Sequence, residues 1–472
     1  MEYPVKDALE LAKENYTEYS RYVSSGRAYP QLYDGLKSSY RRALYGMWEN
    51  KTNKTVKVAE LAAHALPYHP HPTSVAGVIV QLGENGNKLK MMDTQGNWGN
   101  VLTGDGAAAP RYIEARLSKF ALETVFNPKT THWMMSYDGR KKEPIHLPVK
   151  FPLLLAQGVE GIAVGLNSKI LPHNFCEICD AALAHLRGEE FQLYPDFPTG
   201  GEIDVSKYND GERGGAIRIR AKIQKSDDNK TLIITEIPYG TTTSKIIETI
   251  TRAVQKGKIK IRKVDDFTAE EARIEVQLAP GSSSDKTIDA LYAFTDCEIN
   301  ISPNCCVVQD KKPVFTSVSE LLRMSVEYTK SLLKWELEIL KGELEEQYFF
   351  TSLEKIFIEN RIYKEEGYEN APDKEKLIAF VDKALDPWKD KLVREVRRED
   401  IERLFEIRMI RITRFDAKKA DELMKDLEKK IKATIKNLKN LTDYTIAWFD
   451  SLKEKYGAKY PRRTEGRNFA NI

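Results

Sequence analysis

The rhythm of apolar positions changes three times along the chain. Over residues 7–22 it is that of a helix carrying several tyrosines, ended by Gly26-Arg27-Ala28-Tyr29-Pro30. A second helix follows, with Leu36, Tyr40, Ala43, Leu44 and Met47 at helical spacing and Asp34 where an N-cap would stand. Lys37, Arg41 and Arg42 fall largely off that apolar stripe, so this helix is expected to present a cationic face. Over residues 56–125 short helical patterns alternate with Gly- and Asn-rich turns, notably Gly83-Glu84-Asn85-Gly86-Asn87 and Gln95-Gly96-Asn97-Trp98-Gly99-Asn100. That alternation reads as a small mixed domain whose exposed loops carry function.

A Pro-punctuated stretch, residues 144–152, marks a boundary. Beyond it β-branched runs at 216–223 and 231–237 alternate with helices, one of them at 244–254. From Ser319 the period becomes a heptad: Val326, Leu333, Leu337, Leu340 and Leu344, then Ala420, Met424, Leu427, Ile431, Leu438, Leu441 and Trp448. Two long paired helices are expected, joined through a polar turn at 363–374 and a helical stretch at 401–412 that form the tip of a helical hairpin. The fold class is therefore α+β and multidomain.

Charge changes this picture little: 73 Lys and Arg against 70 Asp and Glu leave a formal +3, so the distribution of cations matters more than their sum. Five cysteines, an odd number, and an N-terminus without a signal-type apolar run point to reduced thiols in the cytoplasm and to no membrane span. Cys176-x-x-Cys179 near His173, with Cys305-Cys306, has zinc-like spacing, but the pair sits in an amphipathic helical pattern where small apolar side chains pack. His69-x-His71 lacks a nearby carboxylate or thiol to complete a metal site, and no metal ligand set is assigned. Gly281-Ser282-Ser283-Ser284-Asp285-Lys286-Thr287 lacks the glycine a phosphate loop needs before its lysine.

The chemistry is concentrated in four short segments. They are Gly26-Arg27-Ala28 with Asp34-Gly35-Leu36-Lys37 and Arg41-Arg42; Tyr68-His69-Pro70-His71; Asp93-Thr94-Gln95-Gly96-Asn97-Trp98-Gly99; and Ala107-Ala108-Ala109-Pro110-Arg111-Tyr112-Ile113-Glu114. Three more follow in order: Gly161-Ile162-Ala163-Val164-Gly165 with Leu171-Pro172-His173-Asn174; Pro195-Asp196-Phe197-Pro198-Thr199-Gly200-Gly201; and Ile234-Thr235-Glu236-Ile237-Pro238-Tyr239-Gly240. A tyrosine phenol ionises near ~10 and needs help to attack a phosphodiester at neutral pH, help that an adjacent guanidinium supplies by stabilising phenolate and transition-state charge. Tyr112 is nevertheless one of 22 tyrosines, and without its surrounding motif packing would be the default reading.

Together these segments resemble the type IIA DNA topoisomerases, in particular the cleavage-and-rejoining A subunits of gyrase and topoisomerase IV and the matching region of eukaryotic type II enzymes. The resemblance covers nearly the whole chain. It implies Tyr112 as nucleophile forming a transient 5′-phosphotyrosyl link, with Arg111, Arg27, His69 and His71 as its catalytic company. Lys37, Arg41 and Arg42 would line a DNA channel, and Ile162 would wedge between base pairs to bend the DNA. The architecture implied is an N-terminal arm (1–25), a winged-helix cleavage domain (26–145), an α/β tower (146–316) and a coiled coil (317–472) whose tip, about 366–414, forms a dimerisation gate.

The same resemblance implies partners: double-stranded DNA, a second copy of the chain, and one or two B-type subunits. The partner's TOPRIM domain would hold Mg²⁺, and its ATPase would hydrolyse ATP to drive duplex passage, relaxation and decatenation. The short C-terminal stretch after Tyr460 leaves no room for a DNA-wrapping domain, so supercoiling is not expected, and the compact split form suggests a bacteriophage source. Pro72-Thr73-Ser74 follows His71 where bacterial gyrases have Gly-Asp-Ser, and Val78 stands at their acidic position, so a poor response to quinolones is expected. Two other readings remain open: a non-catalytic architectural protein that binds and bends DNA, and, from the heptads alone, a coiled-coil structural protein.

Overall fold

A computed structural model describes Lys13 and residues 28–51, 53–68, 72–84, 89–163 and 165–469. The chain divides into two compact units, one formed by Met1–Leu332 with Thr445–Ile472 and the other by Leu333–Tyr444. Among the described residues no helix is long and apolar enough to cross a membrane.

In the first unit the helix Ser38–Glu49 buries Ala43, Leu44 and Met47 against the helices Val58–Ala65 and Pro72–Gly83. A three-stranded antiparallel sheet completes the group, with Glu114–Leu117 central between Val56–Lys57 and Met92–Gln95. The helix expected at 7–22 lies outside the described residues apart from Lys13, and Asp34 does not cap the second, which begins at Ser38 behind Lys37. Instead it is buried, accepting from the Leu36 N–H at 3.0 Å, the Leu147 N–H at 2.9 Å and the Arg41 guanidinium at 2.6 and 3.0 Å. A carboxylate this deeply buried requires a counter-charge, and Arg41 is drawn inward to supply it. The expected cationic face therefore loses Arg41, which is only 7% exposed.

The β-branched run at 216–223 is not one strand but two, Ile217–Arg220 and Lys222–Lys225, and they belong to different sheets. The break falls at buried Ala221, whose N–H bonds the Cys297 carbonyl at 2.7 Å, in register with the pairing of Ile217–Arg220 on Glu298–Ile301. Ile217–Arg220 pairs with Glu298–Ile301 and Glu202–Asp204, and Glu465–Gly466 closes that sheet in parallel. Lys222–Lys225 opens an antiparallel sheet that continues through Thr231–Glu236, Ile274–Leu278 and Ile261–Asp266. The helices Thr243–Gln255 and Ser284–Phe294 cover it and enclose a core of its own around Ile234, Ile246, Ile250, Ile274 and Leu291.

The 42-residue helix Val318–Glu359 contributes to both units. Within the second it runs antiparallel to Ala417–Lys439: Lys355 is ion-paired with Asp421, Ser352 points its hydroxyl at the Met424 sulfur, and Glu336 lies beside Tyr444. Leu333, Leu337, Leu344 and Leu427 are buried as their spacing predicts, whereas Leu340 is exposed. The returning helix is interrupted at Asn440 before Leu441–Tyr456. At the far end the helices Lys374–Ala384, Arg398–Phe405 and Met409–Thr413 close over Phe349, Phe357, Ile362 and Leu385. The expected helix at 401–412 is thus two helices, and Lys374–Ala384, capped by the Asp373 side chain, is additional.

Candidate functional site

The loop that carries Tyr112 is fastened on both sides. The Pro110 carbonyl accepts from the Ala59 N–H at 3.2 Å and the Ile113 carbonyl from the Val58 N–H at 3.0 Å, so the start of helix Val58–Ala65 brackets the tyrosine. Ile113 is fully buried and leads into the central strand. Two motif loops clasp here: Ala108 N–H bonds the Asn97 carbonyl at 2.9 Å, and Gly96, at φ +96°, lies under Ile113. A Cβ at Gly96 would sit 3.1 Å from the Ile113 side chain on a backbone that L residues rarely adopt.

Fixed by its flanks, the Tyr112 side chain is 62% exposed, and the Arg111 guanidinium carbon lies 4.6 Å from its ring centroid. Exposure alone does not single it out, since Tyr137 is as exposed. A guanidinium over the ring does not either, since Arg220 lies as close to half-buried Tyr292; at Tyr112 the two coincide, placing a permanent cation, able to fork onto phosphate oxygens, beside an accessible phenol. That arrangement suits nucleophilic attack on a phosphodiester, with charge stabilisation supplied from the adjacent residue.

A second element presents an apolar tip. Val159–Ala163 and Leu166–Ile170 form an antiparallel hairpin in which Ile162, paired with Asn167, is 79% exposed. The hairpin is gripped from behind: Ser168 Oγ donates to the Cys306 carbonyl at 2.6 Å, and Lys169 and Asn304 exchange backbone bonds. Gly161 allows the backbone of Ala28 to lie against it, for a Cβ there would fall 1.7 Å from the Ala28 carbonyl oxygen. Lys37 completes the grip, its ammonium donating to the Glu160 carbonyl at 2.6 Å. Burial pulls the Lys37 pKa below its usual range, and Glu160 opposes this.

The four predicted cations of the first segment thus have different places. Lys37 braces the Ile162 hairpin, and Arg41 serves Asp34 in the core. Arg42 is half-buried and paired with buried Glu143 at 3.1 Å. Arg27, like His69 and His71, lies outside the described residues. Tyr68, which precedes the two histidines, is anchored in the core with its hydroxyl on Glu49, and burial and that carboxylate hold its phenol well above the usual range. Sequence spacing points to none of the carboxylates Asp34, Glu143 and Glu49 as the partner of these side chains. Only Asp34 carries a signal, and that signal predicts a helix cap.

The later motifs are architectural. His173 is buried between the Leu155 carbonyl and the Tyr208 hydroxyl, each at 3.1 Å. Asn174 caps Phe175–Leu186 and bonds both Asp196 and the Tyr460 carbonyl, while Asp196 also accepts the Arg463 and Thr464 N–H groups. Phe197 stacks on Tyr239 at 4.7 Å, joining the sixth segment to the seventh. Cys179 is fully buried, and Cys176 points its thiol at the Gly457 carbonyl. Among the described residues no three His, Cys, Asp or Glu side chains are grouped to hold a metal ion.

These features accompany a wider likeness. The family of DNA gyrase/topoisomerase IV A subunits matches residues 27–453. The chain is 38% identical over 460 residues to the DNA topoisomerase 4 A subunit of Borreliella burgdorferi, spanning 97% of this chain and 72% of that protein. It is 31% identical to the DNA gyrase A subunit of Helicobacter pylori and 30% identical to that of Buchnera aphidicola, spanning 96% and 99% of this chain but 56% and 61% of those proteins. An exposed, guanidinium-flanked tyrosine on a doubly fastened loop therefore occurs in a chain that belongs to the family of DNA gyrase/topoisomerase IV A subunits, the DNA cleavage-and-rejoining components of type II topoisomerases.

Proposed function

We propose that this chain cuts and reseals duplex DNA through Tyr112. The observation that carries the reading is the exposed phenol beneath the Arg111 guanidinium, on a loop fastened at Val58 and Ala59. The Tyr112 oxygen attacks phosphorus and the 3′-oxygen leaves. The phenol proton passes to solvent or a neighbouring base, and the departing oxygen takes one up. One phosphoester replaces another, so the step needs no ATP and runs backwards to reseal the strand. Arg111 would neutralise charge on the phosphoryl oxygens, with Arg27, His69 and His71 contributing a cation and hydrogen-bond donors near pH 7.

Lys37 and Arg42 would meet DNA at the edge of the site, with Arg41 holding the helix from beneath. Ile162 would enter the base stack, a distortion costing a few kcal/mol that is offset by contacts along bent DNA. In this reading residues 26–145 form a winged-helix domain, 146–316 a tower and 317–472 a coiled coil whose tip, about 366–414, joins two copies. Exposed Met409, Ile410 and Val393 support that tip as a contact surface.

A B-type partner would supply a TOPRIM domain carrying Mg²⁺, to stabilise the leaving oxygen, and an ATPase to drive duplex passage. No step here is routed through a metal on this chain. The unpaired cysteines fit action in the cytoplasm.

The test is covalent trapping. The chain, a TOPRIM-bearing partner, Mg²⁺ and end-labelled duplex are mixed and rapidly denatured, and protein on 5′ ends is sought. Attachment that disappears in Tyr112→Phe is the expected result. Bending that survives without any attachment would favour an architectural DNA binder, the reading that exposed Ile162 alone would support.

A further inference from the structure

A cleft of about 1280 Å³ opens on the side of the first unit, between the three-stranded sheet and the returning segment at 456–463. It exceeds the roughly 300–1,000 Å³ of ordinary small-molecule sites. Its walls are apolar where Trp48, Phe120 and Tyr456 line it, and Leu122 in the same wall is 47% exposed. Its rim carries Lys51, Lys90, Lys119 and Lys459, all exposed, and none of the four forms an ion pair with a carboxylate among the described residues. The two acidic side chains in the lining are already engaged: Asp93 is held by Arg116 at 3.1 Å, and Asp196 is 1% exposed and bonded to Asn174 and two backbone N–H groups. The cleft thus has an apolar wall beside polar lining, a cationic edge, and no acidic side chain left to neutralise the four lysines.

We propose that this cleft docks an acidic segment of a protein partner, extended or helical, that seats aliphatic or aromatic side chains on Leu122 and Tyr456 and sets its carboxylates against the four lysines. Charge complementarity selects the sign of the occupant, and the wall formed by Leu122 with Trp48, Phe120 and Tyr456 suits one that also brings apolar surface. A nucleic acid satisfies the first condition and not the second. Its bases would need open ring faces, yet Trp48 is stacked on Phe126 and overlain by Lys51, and Tyr456 meets Phe120 edge to face. The proposal uses none of the residues assigned to cleavage, so it stands or falls separately from the reading of Tyr112.

The test uses the full chain and fluorescence anisotropy with four labelled probes: the peptide (Glu-Leu-Asp-Phe)₃, its amide version (Gln-Leu-Asn-Phe)₃, its polar version (Glu-Ser-Asp-Ser)₃, and a single-stranded thymidine oligonucleotide of equal length. The acidic apolar peptide should bind saturably, and each altered peptide should bind at least about tenfold more weakly. The double reversal Lys90→Glu with Lys459→Glu should weaken the first peptide by a similar factor, and Leu122→Ser should weaken it with the rim intact. Circular dichroism of both variants checks that they fold, and Tyr112-dependent trapping should persist in them. Absence of saturable binding, binding unchanged in both variants, or an oligonucleotide that binds more tightly and competes for the cleft would each overturn the proposal.

Discussion

Arg41 and Arg42 are neighbours in sequence and differ in everything the protein asks of them. Arg41 closes on a carboxylate that is itself almost wholly buried, and among the described residues Asp34 has no other cation. Arg41→Ala should therefore destabilise the first unit by about 3–5 kcal/mol, the usual consequence of leaving a buried charge unpaired. Thermal or denaturant melts would show it, and Asp34→Asn combined with Arg41→Met should recover part of the loss. Unchanged melting with weakened duplex binding would instead return Arg41 to the DNA surface. Lys37→Met removes one charge-assisted bond to the hairpin, about 1.5–3 kcal/mol of local support. It should lower the bend of an end-labelled duplex measured by energy transfer, in the same direction as Ile162→Ala; an unaltered bend in Lys37→Met would remove its bracing role. The pairing of Tyr112 with the Arg111 guanidinium was legible in the sequence, because the two are adjacent in the chain. The carboxylates that hold Arg41 and Arg42 were not, since Glu143 lies 101 residues from Arg42 and nothing in local spacing announces such a pairing.

At the scale of elements, periodicity carried the reading as far as it could. The strand run at 231–237 and the helix at 244–254 appear as Thr231–Glu236 and Thr243–Gln255, because each has an apolar face that its own spacing defines. The run at 216–223 misled because one β-branched run feeds two sheets, parting at Ala221, and local spacing does not mark the change. The hairpin tip was the least legible part, for its short helices owe their ends to polar contacts. Asp400 shows how: it accepts from both guanidinium nitrogens of Arg394 at 2.7 and 2.8 Å and from the Arg397 N–H at 2.8 Å. Burial works against this carboxylate, but the Arg394 bonds outweigh it and hold its pKa below the usual range. A depressed folded-state pKa contributes stability that is complete above the unfolded value, near ~3.9, and is lost as pH falls through the folded one. Melting of the tip should therefore drop as pH is lowered below about 4, and Asp400→Asn should flatten that dependence. An equally steep acid loss in the variant would place the sensitivity elsewhere.

For the whole molecule the proposed reaction turns on how two copies of Tyr112 would come to act on two strands. One chain offers one Tyr112, and the proposed duplex break would need a pair, which a two-fold dimer would provide with the same patch on each copy. The second unit carries a candidate patch: Met409 and Ile410 on one short helix are 65% and 56% exposed, and Val393 nearby in sequence is 63% exposed, although the neighbouring helices bury a core of their own. Large apolar side chains left outside a core that could have taken them mark a contact surface. The chain should sediment as a dimer at micromolar concentration, and Met409→Asp with Ile410→Asp should shift it to monomer while leaving the helical signal and the melting of the first unit unchanged. Because a symmetric contact doubles each substitution, the pair of aspartates places four charges in one interface, and a few kcal/mol of lost association is expected. If the variant remains dimeric, the joining surface lies outside the tip, and the pairing of the two tyrosines must be secured closer to the DNA.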